Sequence, residues 1–395
     1  MDYSLYIHIP FCISKCAYCD FFSKPVNGIP DSYIDALCRE IEYRISYYKA
    51  QTLETIYIGG GTPSLLSTEQ FRKILSKIKA CVKIPDDAEI TVEVNPDDVS
   101  NKLLQSFADS GVTRVSCGIQ SMNDQVLKRA CRRADASMNL RALECFGKHW
   151  KGELSVDLIS GLPGESEESL LAGLKTICAE SPAHISLYSL TIEENTPFGK
   201  QLADNKLNYD FDEADRLWLS GRDYLEGRGY SWYEVSNFCR PGKECVHNLR
   251  YWNHKNYLGC GSGACGTVYS AGGEGFRWTN TTDIASYISW WLSSRSQADV
   301  SKPQLSSDFP EPPQTSELID LPTSQFEFFM MGLRKIQGVK EQDFKMIFNS
   351  PFPEEFLALF EKWQKAGLCL RGVDGAYAMS RKGMLFLNKF LEELC

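Results

Sequence analysis

Tyr6-Ile7-His8-Ile9-Pro10-Phe11-Cys12-Ile13-Ser14-Lys15-Cys16-Ala17-Tyr18-Cys19 is the stretch on which the reading of this chain turns. Residues 5–9 form an apolar run that reads as a strand, and three cysteines follow it at positions 12, 16 and 19. A short loop can wrap such a trio around one metal centre. Structural zinc sites want four ligands, usually in two separated pairs. No second pair with that spacing follows, because five residues separate Cys239 from Cys245 and four separate Cys260 from Cys265. Three thiolates on a cubane [4Fe–4S] cluster would leave one iron open to another ligand. The spacing therefore places iron–sulfur ahead of zinc, and both ahead of three incidental thiols.

Further strand-like runs cover residues 55–58, 90–94, 114–119, 154–159 and 184–190, with helical patterns between most of them. In residues 31–48, Ile34, Leu37, Ile41 and Ile45 recur at helical spacing. Ser67-Thr68-Glu69-Gln70 is a capping box opening a helix to about residue 80, and residues 100–110 and 167–179 read similarly. Six strands alternating with helices imply a parallel sheet with crossover connections. Six units fall short of a closed eight-unit barrel, so a partial barrel and a doubly wound sheet both remain open. In either, the strand ends share one rim. That rim would carry the cysteine loop, the glycine turn Gly59-Gly60-Gly61-Thr62-Pro63, and Glu93, Asn95, Gln120, Asp157 and Thr191. Glycines let backbone approach a ligand closely. A glycine turn alone is most often only a turn, but five polar residues beside a cluster loop read as a ligand-binding mouth.

The 395 residues are 43% hydrophobic and 24% charged, an ordinary globular composition that excludes a disordered or fibrous chain. The net charge of −9 argues against a nucleic-acid binder. No apolar run spans a bilayer and no basic leader precedes the first strand, so a cytoplasmic location is expected. Peripheral membrane contact and oligomeric state stay open. In a reducing compartment the 15 cysteines favour metal or redox roles over disulfides. The scattered Cys38, Cys81, Cys117, Cys145 and Cys178 read as small buried hydrophobes.

Residues 1–200 are expected to form the core, and residues 201–295 an elaboration rich in Gly, aromatic residues and Cys over 229–280. Residues 296–322 carry five prolines and read as a linker. A C-terminal module over 323–395 shows helical patterns at 326–335, 341–348 and 354–367, then a hairpin at 371–379. Ten Lys/Arg balance ten Asp/Glu from residue 318 onward, which suits a lid or docking module better than phosphate tracking.

The cysteine spacing and the Gly-Gly-Gly-Thr-Pro turn resemble the radical S-adenosylmethionine (SAM) superfamily. Tyr6-Ile-His-Ile-Pro-Phe-Cys12 narrows the resemblance to the HemN/HemW group, which is related to oxygen-independent coproporphyrinogen III dehydrogenase. Gly332-Leu333-Arg334 and Ser380-Arg381-Lys382-Gly383 resemble that group's C-terminal domain. The resemblance implies a partial (β/α)₆ radical SAM barrel with a small, mainly helical, winged-helix-like C-terminal domain. It implies that Cys12, Cys16 and Cys19 hold a [4Fe–4S] cluster, and that Tyr6, Tyr18, Gly60, Gly61, Thr62, Glu93, Gln120, Arg132, Asp157 and Thr191 line a SAM site. Carboxylates suit ribose hydroxyls and ammonium groups, and Arg suits a carboxylate. Without the resemblance, Arg132 in Lys128-Arg129-Ala-Cys-Arg132-Arg133 would read as a solvated charge.

Two departures from the dehydrogenase pattern favour the heme chaperones of the HemW family. A further cysteine of the dehydrogenase is replaced here by Phe21. His247-Asn248-Leu249-Arg250-Tyr251-Trp252 matches the chaperone signature His-Asn-x-x-Tyr-Trp. Tyr233-Glu234-Val235-Ser236-Asn237 and Tyr257-Leu258-Gly259 resemble the same family, whereas Cys265 stands where His or Ala is expected. Histidine is a common axial ligand to heme iron. Tyr251 and Trp252 offer flat faces to a porphyrin, and Arg250 can pair with a propionate. A structural role for His247 weighs as much as a ligand role, and Cys245 and Cys265 are rival ligands. His8 and His184 read as structural, His149 and His254 as exposed. The function this implies is heme binding and transfer to acceptor apo-hemoproteins. Oxidative decarboxylation of coproporphyrinogen III and a heme- or iron-sensing module are the rivals, so whether the chain is an enzyme stays open.

Overall fold

The computed structural model describes residues 2–293 and 312–395. After β1 (Asp2–Ile9), two short strands, β2 (Phe11–Cys12) and β3 (Lys24–Pro25), pair with each other and close the base of the cysteine loop. The chain then lays down β4 (Thr52–Gly60), β5 (Glu89–Val94), β6 (Arg114–Gln120), β7 (Glu153–Ser160) and β8 (His184–Ser189). β4 pairs in parallel with β1, and each later strand with the one before it. A doubly wound sheet reverses its strand order once, whereas a barrel winds in one direction. The sequential order therefore selects the partial (β/α)₆ barrel.

Side chains on these strands alternate in a way that decides where the site lies. Leu5, Ile7, Ile9, Ile56, Ile58, Val92, Val115, Val156, Ile185 and Leu187 belong to one buried apolar cluster. They share it with Leu37 and Ile41 of helix Asp31–Tyr47, Ile74 and Ile78 of helix Thr68–Cys81, and Leu174 and Ile177 of helix Glu167–Ala179. The capping box at Ser67 and Gln70 forms as expected. The intervening residues Tyr57, Thr91, Ser116, Ser155, Asp157, Ser186 and Tyr188 line a polar cavity on the opposite, concave face. Period-two alternation thus gives the barrel a dry outer wall and a polar interior.

The aromatic stretch after residue 229 does not form a separate layer. β9 (Ser231–Glu234) and β10 (Asn237–Cys239) extend the sheet beyond β8, with β10 antiparallel to it. β11 (Tyr257–Cys260) joins the other edge as a further parallel strand beside β1. β12 (Cys265–Tyr269), β13 (Gly275–Asn280) and β14 (Gln314–Ile319) follow it antiparallel. The sheet has twelve strands and stays open among the described residues. Part of the expected linker is therefore corrected: residues 314–319 are strand, because Thr315, Glu317 and Ile319 complete a ladder with β13. Leu321 and Pro322 likewise open helix Leu321–Gly332, and residues 296–311 of the expected linker lie outside the described residues.

Helices Leu321–Gly332, Glu341–Phe348 and Glu354–Lys365, then β15 (Cys369–Arg371) and β16 (Tyr377–Met379), make the winged-helix-like module. Its core is aromatic, with Phe329 stacked on Phe356 at 4.0 Å and on Phe344 at 5.3 Å. It docks on the barrel through main chain: Val235 N–H donates to Arg334 O and Ile336 N–H to Tyr233 O, both at 3.0 Å. His254 lies buried in this seam rather than at the surface, stacked on Tyr269 at 3.8 Å. Docking of the module covers a ring that the sequence leaves looking free.

Candidate functional site

The C-terminal ends of the parallel strands form a rim, and the cysteine loop lies across it. Cys12, Cys16 and Cys19 are free and partly exposed. The loop folds tightly, with Cys19 N–H donating to Cys16 O at 3.3 Å and Val26 N–H to Cys12 O at 2.8 Å. Two sulfurs have donors aimed at them. Thr62 Oγ1 lies 3.5 Å from Cys12 Sγ, and Arg132 Nη1 lies 3.5 Å from Cys16 Sγ. Burial raises the Cys19 thiol above its ordinary pKa. Among the described residues, no three His, Cys, Asp or Glu side chains converge as one metal ion would require. A cubane cluster takes one thiolate per iron rather than gathering three ligands on a single ion, and three thiols on one short loop suit that donor set. Donors to the sulfurs are the outer interactions that tune such a cluster.

Arg132 is the centre of the rim's polar web. Its Nη2 donates to Asn95 Oδ1 at 2.9 Å and to Gly118 O at 2.6 Å. Asn95 Nδ2 in turn donates to Thr62 Oγ1 at 3.2 Å. Arg132 Nε is buried without a partner among the described residues, a donor kept for something the protein does not supply. Tyr18 is held above the usual tyrosine range, first by burial, and lies against Arg132 and Cys16. Arg132 is thus no solvated charge.

The glycine turn is dictated by space. Gly60 has φ +109°, and a Cβ there would lie 2.5 Å from the His8 ring. A Cβ on Gly61 would lie 2.6 Å from Phe11 O, on the backbone that leads to Cys12. The turn is thereby pressed against the cysteine loop. Gly60 N–H donates to Glu93 Oε2 at 3.0 Å, and Tyr57 Oη to Glu93 Oε1 at 2.8 Å. Burial lifts Glu93 to about 7, and the Tyr57 hydrogen bond opposes the rise. Asp157 is also raised by burial and accepts from Ser116 Oγ at 2.7 Å. Tyr6 Oη meets His8 Nδ1 at 2.9 Å. Gln120 ends β6 with φ +66°, a left-handed conformation rare for its residue type. Thr191 is exposed just beyond β8. The rim thus gathers Tyr18, Gly60, Gly61, Thr62 and Arg132 near the cysteine loop, with Gln120 and Thr191 on the adjoining strand ends. Tyr6 and Glu93 meet Tyr57 deeper in the barrel, and Asp157 lines the cavity with it.

The other end of the concave face is closed. Helix Val246–Trp252 sits beneath the N-terminal ends of the strands. Glu89, the first residue of β5, accepts Val246 N–H at 3.0 Å and His247 N–H at 2.9 Å. Glu89 also pairs with buried Arg114, the first residue of β6, at 3.0 Å. His247 is 1% exposed, and both ring nitrogens are engaged: Nδ1 with Thr55 Oγ1 at 2.7 Å and Nε2 with Tyr251 Oη at 2.9 Å. Burial pushes its pKa down to about 3, so it is neutral. Arg250 is tied to Ser4 and Glu54. Trp252 packs under Arg334, 5.7 Å from its ring centroid, and Tyr251 packs edge-on against Tyr257. Of the two roles weighed equally for His247, the structural one is filled by its contacts in this conformation. His247, Arg250 and Tyr251 form a plug whose polar side-chain atoms are bonded within the fold, and Trp252 packs beside them with its Nε1 unpaired among the described residues. The rival Cys245 is buried against Glu89, and Cys265 lies 3.8 Å from Tyr257 Oη.

His8 and His184 are structural, as read from sequence. His8 Nε2 bonds Phe22 O at 2.9 Å, and His184 bonds Ser155 and Tyr233. Sequence reasoning missed Tyr57, Thr55, Glu89 and Arg114. Their signal was the period-two alternation itself, which puts every second residue of β4, β5 and β6 on the concave face.

The sequence profile of the radical SAM superfamily matches residues 6–177. A protein named heme chaperone HemW from Escherichia coli (strain K12) is 33% identical, covering 98% of this chain and 97% of its own. A protein of the same name from Bacillus subtilis (strain 168) is 30% identical, covering 99% of this chain and all of its own. Among solved structures, the coproporphyrinogen III oxidase HemN of Escherichia coli superposes with a TM-score of 0.80. It covers all of this chain and 90% of its own at 19% identity, a likeness of fold.

Proposed function

The chain belongs to the HemW family of radical SAM proteins, and on that premise we propose that it is a heme chaperone, which binds heme and passes it to acceptor apo-hemoproteins. Cys12, Cys16 and Cys19 would hold a [4Fe–4S] cluster, and SAM would bind the open iron. The observation that carries the cluster and SAM part of this reading is the rim: three partly exposed thiols, donors aimed at two of them, and beside them a buried Arg132 Nε without a partner among the described residues.

When bound, the cluster and SAM supply an electron and a cleavable sulfonium. The chain's own residues do the rest. Thr62 and Arg132 polarise the sulfurs. Arg132 Nε suits a carboxylate, and Glu93 suits hydroxyl or ammonium donors from the rim. Gly60 and Gly61 let main chain approach the ligand where a Cβ would block it. Heme would engage the His247 motif only once helix Val246–Trp252 leaves its seat, because the ring has no free nitrogen in place.

The test is an anaerobic hemin titration of the cluster-reconstituted chain, followed by absorbance, with coproporphyrinogen III turnover assayed in parallel. Saturable binding without turnover is expected. Turnover without saturable binding would replace the chaperone reading with that of a dehydrogenase.

A further inference from the structure

Tyr57 lies between the two ends of the concave face and touches both. From Thr55 to Gly60, β4 climbs about 16 Å, the distance between plug and rim. Near the top, Tyr57 Oη donates to Glu93 Oε1 at 2.8 Å, while Glu93 Oε2 is held by Gly60 N–H at 3.0 Å. Below, the Tyr57 ring stacks on His247 with centroids 5.0 Å apart and planes at 29°. The His247 ring is itself fixed between Thr55 and Tyr251. Tyr57 lies close over Gly59, where a Cβ would stand 2.8 Å from its Cε1 and 2.9 Å from the Glu93 carboxyl.

We propose that Tyr57 is a positioning residue that couples the rim to the plug, so that a ligand engaging Glu93 changes how firmly helix Val246–Trp252 is seated. The inference rests on the reading of Glu93 and Gly60 as facing SAM. A donor arriving from the rim competes for the oxygens that Tyr57 and Gly60 now hold. Tyr57 then shifts with the carboxylate, because close-packed groups move together. Its ring carries the shift to His247, whose Nδ1 ties the plug to Thr55 of β4 while its Nε2 bonds Tyr251 within the same helix. Rigid contacts of this kind transmit coupling only if both ends bias the same element, which makes the claim testable.

The experiment is hydrogen exchange with mass spectrometry on the full-length, cluster-reconstituted chain, with and without saturating SAM. Peptides over 59–63 report the rim, and peptides over 246–252 report the plug. Tyr57→Phe keeps the ring stack and removes only the hydroxyl. In the wild-type chain, SAM is expected to protect the rim and to change plug exchange by about fivefold or more. In Tyr57→Phe, rim protection is expected to persist while the change at the plug falls within about twofold. Rim protection with an unaltered plug in the wild-type chain would overturn the proposal, as would the same plug response in Tyr57→Phe. Absence of rim protection in the wild-type chain would sink the SAM reading itself, and the coupling with it.

Discussion

The rim and the plug of the barrel are built from similar residues, and they are in opposite states. At the rim, three thiols stay partly exposed, Arg132 Nε has no partner among the described residues, and glycines keep the backbone bare. At the plug, Glu89 accepts two main-chain amides and pairs with Arg114, and both nitrogens of His247 are bonded. The difference teaches that residue type alone does not distinguish a polar group offered to a ligand from one consumed by the fold. Partner accounting, taken atom by atom, sets His247 apart from Arg132, while Arg114 Nη1 and Trp252 Nε1 at the plug also lack a partner among the described residues.

Four measurements would break or sharpen that contrast, from the largest effect to the smallest. Replacing Cys12, Cys16 and Cys19 together by Ala should abolish cluster uptake, taking iron from about four per chain to background. Iron and sulfide analysis after reconstitution checks it, and a full complement in the variant would end the cluster assignment. At the plug, Glu89→Gln should cost about 2–3 kcal/mol, because it removes one of the two carboxylate charges paired with buried Arg114 and leaves only Glu153. A urea melt showing under about 1 kcal/mol would mean that the plug is looser than its geometry implies.

His247→Ala should cost about 2–4 kcal/mol, since it opens a cavity and strands the Thr55 and Tyr251 hydroxyls. Thr191→Ala at the exposed rim should stay within about 0.5 kcal/mol. Equal costs for the two would erase the distinction between the ends. The two ends should also respond oppositely to pH in the cluster-free chain. Glu93 is raised from 4.5 to about 7, so the stability it contributes is full below 4.5 and lost as pH rises through about 7. His247 is lowered from 6.5 to about 3, so its contribution is full above 6.5 and lost as pH falls toward 3. Glu93→Gln should therefore lessen the loss of stability between pH 5 and 7, and His247→Gln the loss below pH 6. Unfolding at several pH values reads both slopes, and unchanged slopes would contradict the burial assigned to these groups.

Much of this was legible in the sequence. The six strands were marked by apolar runs, and the loop across the rim by its three cysteines. β11 was harder to see, because Tyr257-Leu258-Gly259-Cys260 is short and its parallel pairing with β1 joins residues some 250 positions apart. β14 was hidden among prolines and serines, since an edge strand needs few apolar residues. The state of His247 was not legible at all. The motif announces its residue types, but only the fold brings Thr55, Tyr57 and Glu89 up to it. Arg132 illustrates the reverse case: a charge in a basic run that looks solvated until its contacts with Cys16, Asn95 and Gly118 are seen.

The central claim is that the rim holds a cluster with one iron open to SAM. The most direct test is the electron paramagnetic resonance spectrum of the reduced, reconstituted chain before and after SAM is added. A spectrum of a single [4Fe–4S] species whose g-values shift on adding SAM, with the shift lost or weakened in Arg132→Gln, is expected. A spectrum that SAM leaves unchanged in the wild-type chain would contradict it.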